Sequence, residues 1–137
     1  MRVLLDTNVL LDVLLNRSPW VTASRTIWDA HDQGGLTGYI AASTLTDIFY
    51  IARRPTDRQI ALAAVRLCLA TFEICAVDQQ ILLQAVALPG NDFEDNLQIA
   101  CATMTGLDGI VSRDKNGFRA ATIPIFTPVE LIAQLNL

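Results

Sequence analysis

Short apolar runs alternate along this chain with stretches of helical period. Val3 to Leu5, Tyr39 to Ala41, Phe72 to Val77, Gly109 to Val111 and Ile123 to Phe126 are brief and largely apolar, without polar alternation. That is the pattern of strands covered on both faces. Between them Val21, Ser24, Ile27, Trp28 and His31 recur at spacings of three and four, as do Ile60, Ala64, Leu67 and Cys68, and then Ile81, Leu82, Ala85 and Val86. Two more helices fit from Ser43 to Arg54, with Ser43 as cap, and from Asp92 to Thr105, with a stripe of Phe93, Leu97, Ala100, Cys101 and Met104. Asp57, Asp78 and Asp92 stand where helix N-caps belong. No repeat, low-complexity segment or linker interrupts the alternation. It predicts an α/β chain, a three-layer α/β/α sandwich with a central parallel sheet of four or five strands and right-handed crossovers.

Composition narrows the class. A chain of 137 residues reads as a single domain over 1–137, long enough to bury roughly 68 to 70% of its extended surface. Apolar residues make up 52% and the mean hydropathy is +0.37, yet no run approaches the about 18 apolar residues of a membrane span. The N-terminal run is broken by Asp6 and Asp12 and no small-residue cleavage site follows, so the sequence reads as cytoplasmic, without a membrane partner. Cys68, Cys75 and Cys101 are odd in number and lack Cys-x-x-Cys spacing, which predicts buried free thiols. A net charge of −4 argues against a broad basic footprint for nucleic acid.

In a parallel sheet of this kind, ligands bind beyond the carboxyl ends of the strands, where the strand order switches. Asp6 ends the first run, Asp114 lies three residues past Val111, and Asp47 sits one turn into the helix after the second run. Asp95 lies in the first turn of its helix, off the apolar stripe. Taken singly, each is a turn former or a cap, and Asp92 keeps that reading, with Asp95 in the capping-box position. Together they pose an electrostatic problem. Two unit charges about 4 Å apart repel by on the order of 4 kcal/mol at an effective dielectric of 20, so four converging carboxylates call for protons or a cation. Oxygen donors without histidine or thiolate favour Mg²⁺ or Mn²⁺.

At these residues the chain resembles the PIN domain family. "LLDTNVLLD", "STLTDIFY", "DFEDNLQIACA" and "IVSRDKNGF" are similar, in order and spacing, to its four motifs, and the likeness runs from about Arg2 to Ile132. It is closest to small prokaryotic members such as the VapC-type toxins. The resemblance implies a metal-dependent ribonuclease of a type II toxin–antitoxin pair, acting on RNA with one or two Mg²⁺ or Mn²⁺ ions held by Asp6, Asp47, Asp95 and Asp114. Asn8 and Ser112 match polar positions that orient those acids, and Asp92 is a further acid. A homodimer and an antitoxin partner are implied as well, the antitoxin lying in an apolar groove expected on the helix pair Asn8–Leu15 and Val21–Asp32. Two positions depart from the family. Asp47 stands where Glu is usual, and Gly117 precedes Phe118 where many relatives carry Asp.

The chemistry points the same way without the name. Imidazole-driven RNA cleavage needs two histidines, whereas His31 is the only one and lies on a packing face. No Ser/His/Asp set and no Gly-rich phosphate loop is present. Metal-assisted hydrolysis remains, with Arg113 and Lys115 beside Asp114 as phosphate contacts. Arg119 and the group Arg53, Arg54 and Arg58 read equally well as a solvated face. Trp20 and Trp28 read as core or interface. Three other classes were weighed. A haloacid-dehalogenase-like phosphatase needs a second Asp where Asn8 stands, and a response-regulator receiver needs a Lys where "IFTPVE" has none. A non-catalytic PIN-like scaffold that binds RNA or protein stays open because of Asp47 and Gly117.

Overall fold

The computed structural model describes residues 1–137. Five strands, β1 (Arg2–Leu5), β2 (Thr37–Ala41), β3 (Glu73–Cys75), β4 (Gly109–Val111) and β5 (Ile125–Phe126), form one parallel sheet in the order β3-β2-β1-β4-β5. Seven helices accompany them: α1 (Thr7–Leu14), α2 (Val21–Asp32), α3 (Ala42–Arg53), α4 (Arg58–Thr71), α5 (Gln79–Ala87), α6 (Phe93–Thr105) and α7 (Pro128–Leu135). The five-stranded α/β/α architecture is the one expected. The chain steps outward from β1 to β3, then returns to place β4 against the other side of β1, so the order switches between β1 and β4.

Successive strand residues face opposite layers, and the core divides accordingly. Val3, Leu5, Ile40 and Val111 pack with α1, α2, α3 and α4. Leu4, Ala41, Cys75 and Ile110 pack with α5 and α6. This two-sided coverage is why the strands lack alternation in sequence. Asp57, Asp78 and Asp92 cap α4, α5 and α6 as expected, each accepting a backbone N–H from the third helical residue. All three cysteines are free and buried.

His31 is a packing residue. Its Nδ1 accepts the Gly38 N–H at 3.1 Å, which leaves Nε2 to donate to the Thr71 carbonyl at 2.7 Å. The imidazole thereby joins the end of α2 to β2 and to the last turn of α4. It also lies against Phe72, which meets Trp28 edge-on at 4.7 Å between centroids. No helix is long and apolar enough to cross a membrane.

Three local expectations are corrected. Helix α3 starts at Ala42 with Ala41 as cap, because strand β2 runs directly into it; Ser43 falls inside the first turn and its buried hydroxyl has no partner. The third strand is shorter than its apolar run, since Val77 lies beyond the residues that pair with β2. On α6 the buried surface runs from Asn96 to Ala102, while Phe93 and Met104 at its two ends are exposed.

Gly38 marks a close approach in the core. A Cβ there would stand 2.9 Å from Phe72 Cδ1 and 3.1 Å from Leu5 Cδ1. Gly38→Ala should lower the unfolding free energy by about 1 to 3 kcal/mol through overpacking, measured by urea denaturation; an unchanged midpoint would contradict this packing.

Candidate functional site

The switch point between β1 and β4 gathers the polar residues that the core cannot use. Asp6 follows β1, and its backbone N–H bonds the Val111 carbonyl at 2.9 Å as a last rung between β1 and β4. Its carboxylate has three donors. Oδ1 accepts from the Thr7 N–H at 2.7 Å, capping α1, and from Gln98 Nε2 at 2.8 Å; Oδ2 accepts from Ser112 Oγ at 2.7 Å. A carboxylate offers about four lone-pair positions. Three are taken, and the one left free belongs to Oδ2. Asn8 completes the frame, with Nδ2 donating to Ser112 Oγ at 3.4 Å and Oδ1 accepting the Arg113 N–H at 3.3 Å.

Asp47 on α3 shares a cleft of about 300 Å³ with Asp6, Asn8 and Glu94. Glu94 is an acid that the sequence reading missed. Its side chain shares a hydrogen bond with Asp47, and that bond, desolvation and the charges of Asp47, Asp6 and Asp92 push its carboxyl up to about 8. Asp95 is pushed up to about 6 by desolvation, then by Asp92, Asp6 and Asp114. The two acids of α6 therefore hold protons more tightly than ordinary carboxyls because the others surround them. Periodicity carried a signal for Glu94. Gln98 is a buried polar residue on the apolar helix α6, and Glu94 precedes it by four, on the same face.

The remaining candidates are placed as follows. Asp92 caps α6, accepting the Asp95 N–H at 3.0 Å, and is exposed. Asp114 is exposed and accepts the Asn116 N–H at 3.0 Å, opening a 3₁₀ turn over Lys115–Phe118. Gly117 in that turn leaves room for Asp95, because a Cβ at 117 would overlap Asp95 Oδ2 unless that carboxylate turned aside. The carboxylate of α6 thus fills the space that a side chain at 117 would need. Although these acids face one end of the sheet and feel each other's charge, no three of them converge closely enough to hold an ion in this arrangement.

Both proposed phosphate contacts already have anionic partners. Lys115 meets the exposed capping-box acid Glu130 at 3.0 Å, a pair that water screens and that costs little to open. Arg113 is more firmly held. Its Nε meets Asp12 Oδ2 at 2.6 Å, and its guanidinium lies 3.9 Å from the centroid of the Trp20 ring. Asp12 is fully buried and also binds Arg17 at 2.9 Å. The sequence reading saw Asp12 only as a break in an apolar run. Arg17 and Arg113 line the same cleft as Asp47 and Glu94. Arg53, Arg54, Arg58 and Arg119 do not line it; the first three are exposed and Arg53 lies over Phe49.

The expected apolar groove on α1 and α2 is corrected. Val9, Leu10, Leu11, Ile27 and Trp28 are buried in the core, because both helices pack directly on the sheet. A group of exposed large apolar residues lies instead on α3, α4 and α5, at Tyr50, Ile51, Ile60, Leu67, Leu69, Leu82, Leu83 and Val86.

The PIN domain family profile matches residues 2–116, and the chain belongs to that family. A toxin–antitoxin complex from Klebsiella pneumoniae is similar in structure with a TM-score of 0.68 and 23% identity, covering 92% of this chain and 97% of that one. A DNA-bound VapBC from Salmonella typhimurium gives a TM-score of 0.72 at 19% identity, covering 93% and 98%. VapC20 from Mycobacterium tuberculosis, described as a sarcin-ricin loop cleaving toxin, gives 0.71 at 14%, covering 86% and 94%. These likenesses establish the fold. No curated protein matches significantly.

Two expectations follow from the charges. Glu94 and Asp95 titrate above their usual values in the fold, so the stability they confer is present at low pH and is lost as pH rises through about 6 and then about 8. The metal-free protein should accordingly melt at a lower temperature at pH 8 than at pH 5, and Glu94→Gln should flatten that slope in calorimetry. Asp12→Ala should destabilise by roughly 3 kcal/mol, the low end for breaking a buried pair because both arginines are partly exposed. Denaturant titration showing less than about 1 kcal/mol would contradict the anchoring role.

Proposed function

We propose that this chain is a divalent-cation-dependent ribonuclease that hydrolyses RNA phosphodiesters and serves as the toxin of a type II toxin–antitoxin pair. One observation carries the reading: Asp6, Asp47 and Glu94 line one cleft at the strand-order switch, where Asp47 and burial raise Glu94, and burial and Asp92 raise Asp95 beside it. A site that forces protons onto its own acids is one that a cation stabilises. The donors fit a hard cation, being carboxylate oxygens with His31 and the three cysteines committed elsewhere. Asp6, through its free Oδ2 position, Asp47, Glu94 and Asp95 would hold the ion or ions, with Asp114 at the rim. Mg²⁺ or Mn²⁺ supplies Lewis-acid charge neutralisation and activates water there.

The chain's own groups would do the rest. Gln98, Ser112 and the Thr7 N–H orient Asp6, so the carboxylate needs no reorganisation on binding. Arg17 and Arg113 put positive charge into the same cleft, where a phosphate approaching the acids needs it. Lys115 can leave Glu130 for a phosphate further along the strand. The family supports the nuclease reading, and the neighbours described as toxin–antitoxin complexes support an antitoxin partner. By the same likeness we propose a homodimer in the cytoplasm, with the apolar faces of α3, α4 and α5 available for association.

A second reading has its own support. Because no three acids converge in ligand geometry and Asp47 is one methylene shorter than Glu, the fold also suits a PIN-like scaffold that binds RNA or protein without cutting. Cleavage assays separate the two. Asp6→Asn should lower the rate of RNA cleavage by about a hundredfold or more while leaving the chain folded. EDTA should stop the parent protein, and Mg²⁺ or Mn²⁺ should restore it and raise its melting temperature. RNA binding without cleavage under any of these conditions would favour the scaffold.

A further inference from the structure

Arg113 lines two clefts. One is the acidic cleft of Asp6, Asp47 and Glu94; the other, of about 320 Å³, lies on the far side of the guanidinium against Trp20, Ala23, Pro128 and Val129. We infer that this second cleft is a nucleobase slot, which takes one unpaired base of a single-stranded RNA while Arg113 and Arg17 hold its backbone at the acidic cleft. The inference rests on the ribonuclease reading and gives it a substrate form.

The walls favour a flat apolar ring tethered to an anion. Trp20 is 44% exposed although it opens helix α2 beside the core, and Val129 at the start of α7 is exposed as well. The wall of this cleft contains no carboxylate, and its one charged group is Arg113. Indole and guanidinium are already stacked 3.9 Å apart. Stacking on such a platform suits any base, because every base presents a π-face, and the base must be unpaired to reach it.

The platform is also held in place. Asp12, fully buried, binds both arginines, and Arg17 donates further to the Asn8 carbonyl at 3.2 Å. Two guanidinium groups on one carboxylate leave a surplus positive charge where the clefts meet. Asp12 is therefore a positioning residue. It fixes the charge that joins the slot to the acids without meeting the substrate.

Tryptophan fluorescence reads the slot directly, since Trp28 is buried and Trp20 is not. A short single-stranded RNA titrated in Mg²⁺ into the Asp6→Asn protein, which cuts it slowly, should quench the emission. An abasic strand with the same phosphates should bind about tenfold more weakly and quench little. Trp20→Ala should weaken the normal strand by a similar factor and leave the abasic strand unchanged, and Trp20→Phe should restore most of the affinity. Equal binding of both strands, or no effect of Trp20→Ala, would overturn the slot, and a cleft serving a peptide side chain would give that result. If RNA is cleaved but base removal changes nothing, the slot alone falls; if neither strand is bound or cleaved, the ribonuclease reading falls with it.

Discussion

The structure turns on how Asp6 is held. Its N–H is a rung between β1 and β4, its Oδ1 caps α1 and meets Gln98 on α6, and its Oδ2 meets Ser112 beyond β4. One residue thus joins both layers of the sandwich at the point where the strand order switches. A carboxylate so buried is expensive unless every donor around it is aligned. Here the alignment comes from the fold itself, and it leaves a single oxygen position free for the acids of α3 and α6 to share with a ligand.

That constraint divides the switch point into regions of opposite sign. Asp47 and burial raise the proton affinity of Glu94, and burial and Asp92 raise that of Asp95, with Asp6 adding to both. Arg17 and Arg113, tied to Asp12, bring positive charge to the same cleft. An acidic protein can therefore receive a polyanion locally, because the sign of the field at the cleft is set by fixed neighbours rather than by the net charge. Gly117 belongs to the same arrangement. A Cβ at 117 would meet the Asp95 carboxylate, so the two positions share one space.

Much of this was legible in the sequence. Strands covered on both faces read as apolar runs, caps such as Asp57, Asp78 and Asp92 read from local chemistry, and strand-end acids pointed to the switch point. What escaped depended on partners distant in the chain. Asp12 breaks an apolar run in sequence, and its partners are Arg17, five residues on, and Arg113, a hundred and one residues later. Glu94 was hidden by Asp95 beside it, and Gln98 by the stripe around it. The apolar groove was misplaced because composition cannot tell a helix that faces the sheet from one that faces solvent. Ser43 read as a cap because its residue type suits one, yet β2 enters α3 directly.

The proposed cation site among the acids around Asp6 can be read by diffraction from crystals soaked in Mn²⁺, with the anomalous signal of the metal recorded. A strong peak is expected between Asp6 and the first turn of α6, with Asp47 or Glu94 turned toward it and the peak lost in Asp6→Asn. Crystals saturated with Mn²⁺ that show no peak there, with Asp47 and Glu94 unmoved, would contradict it.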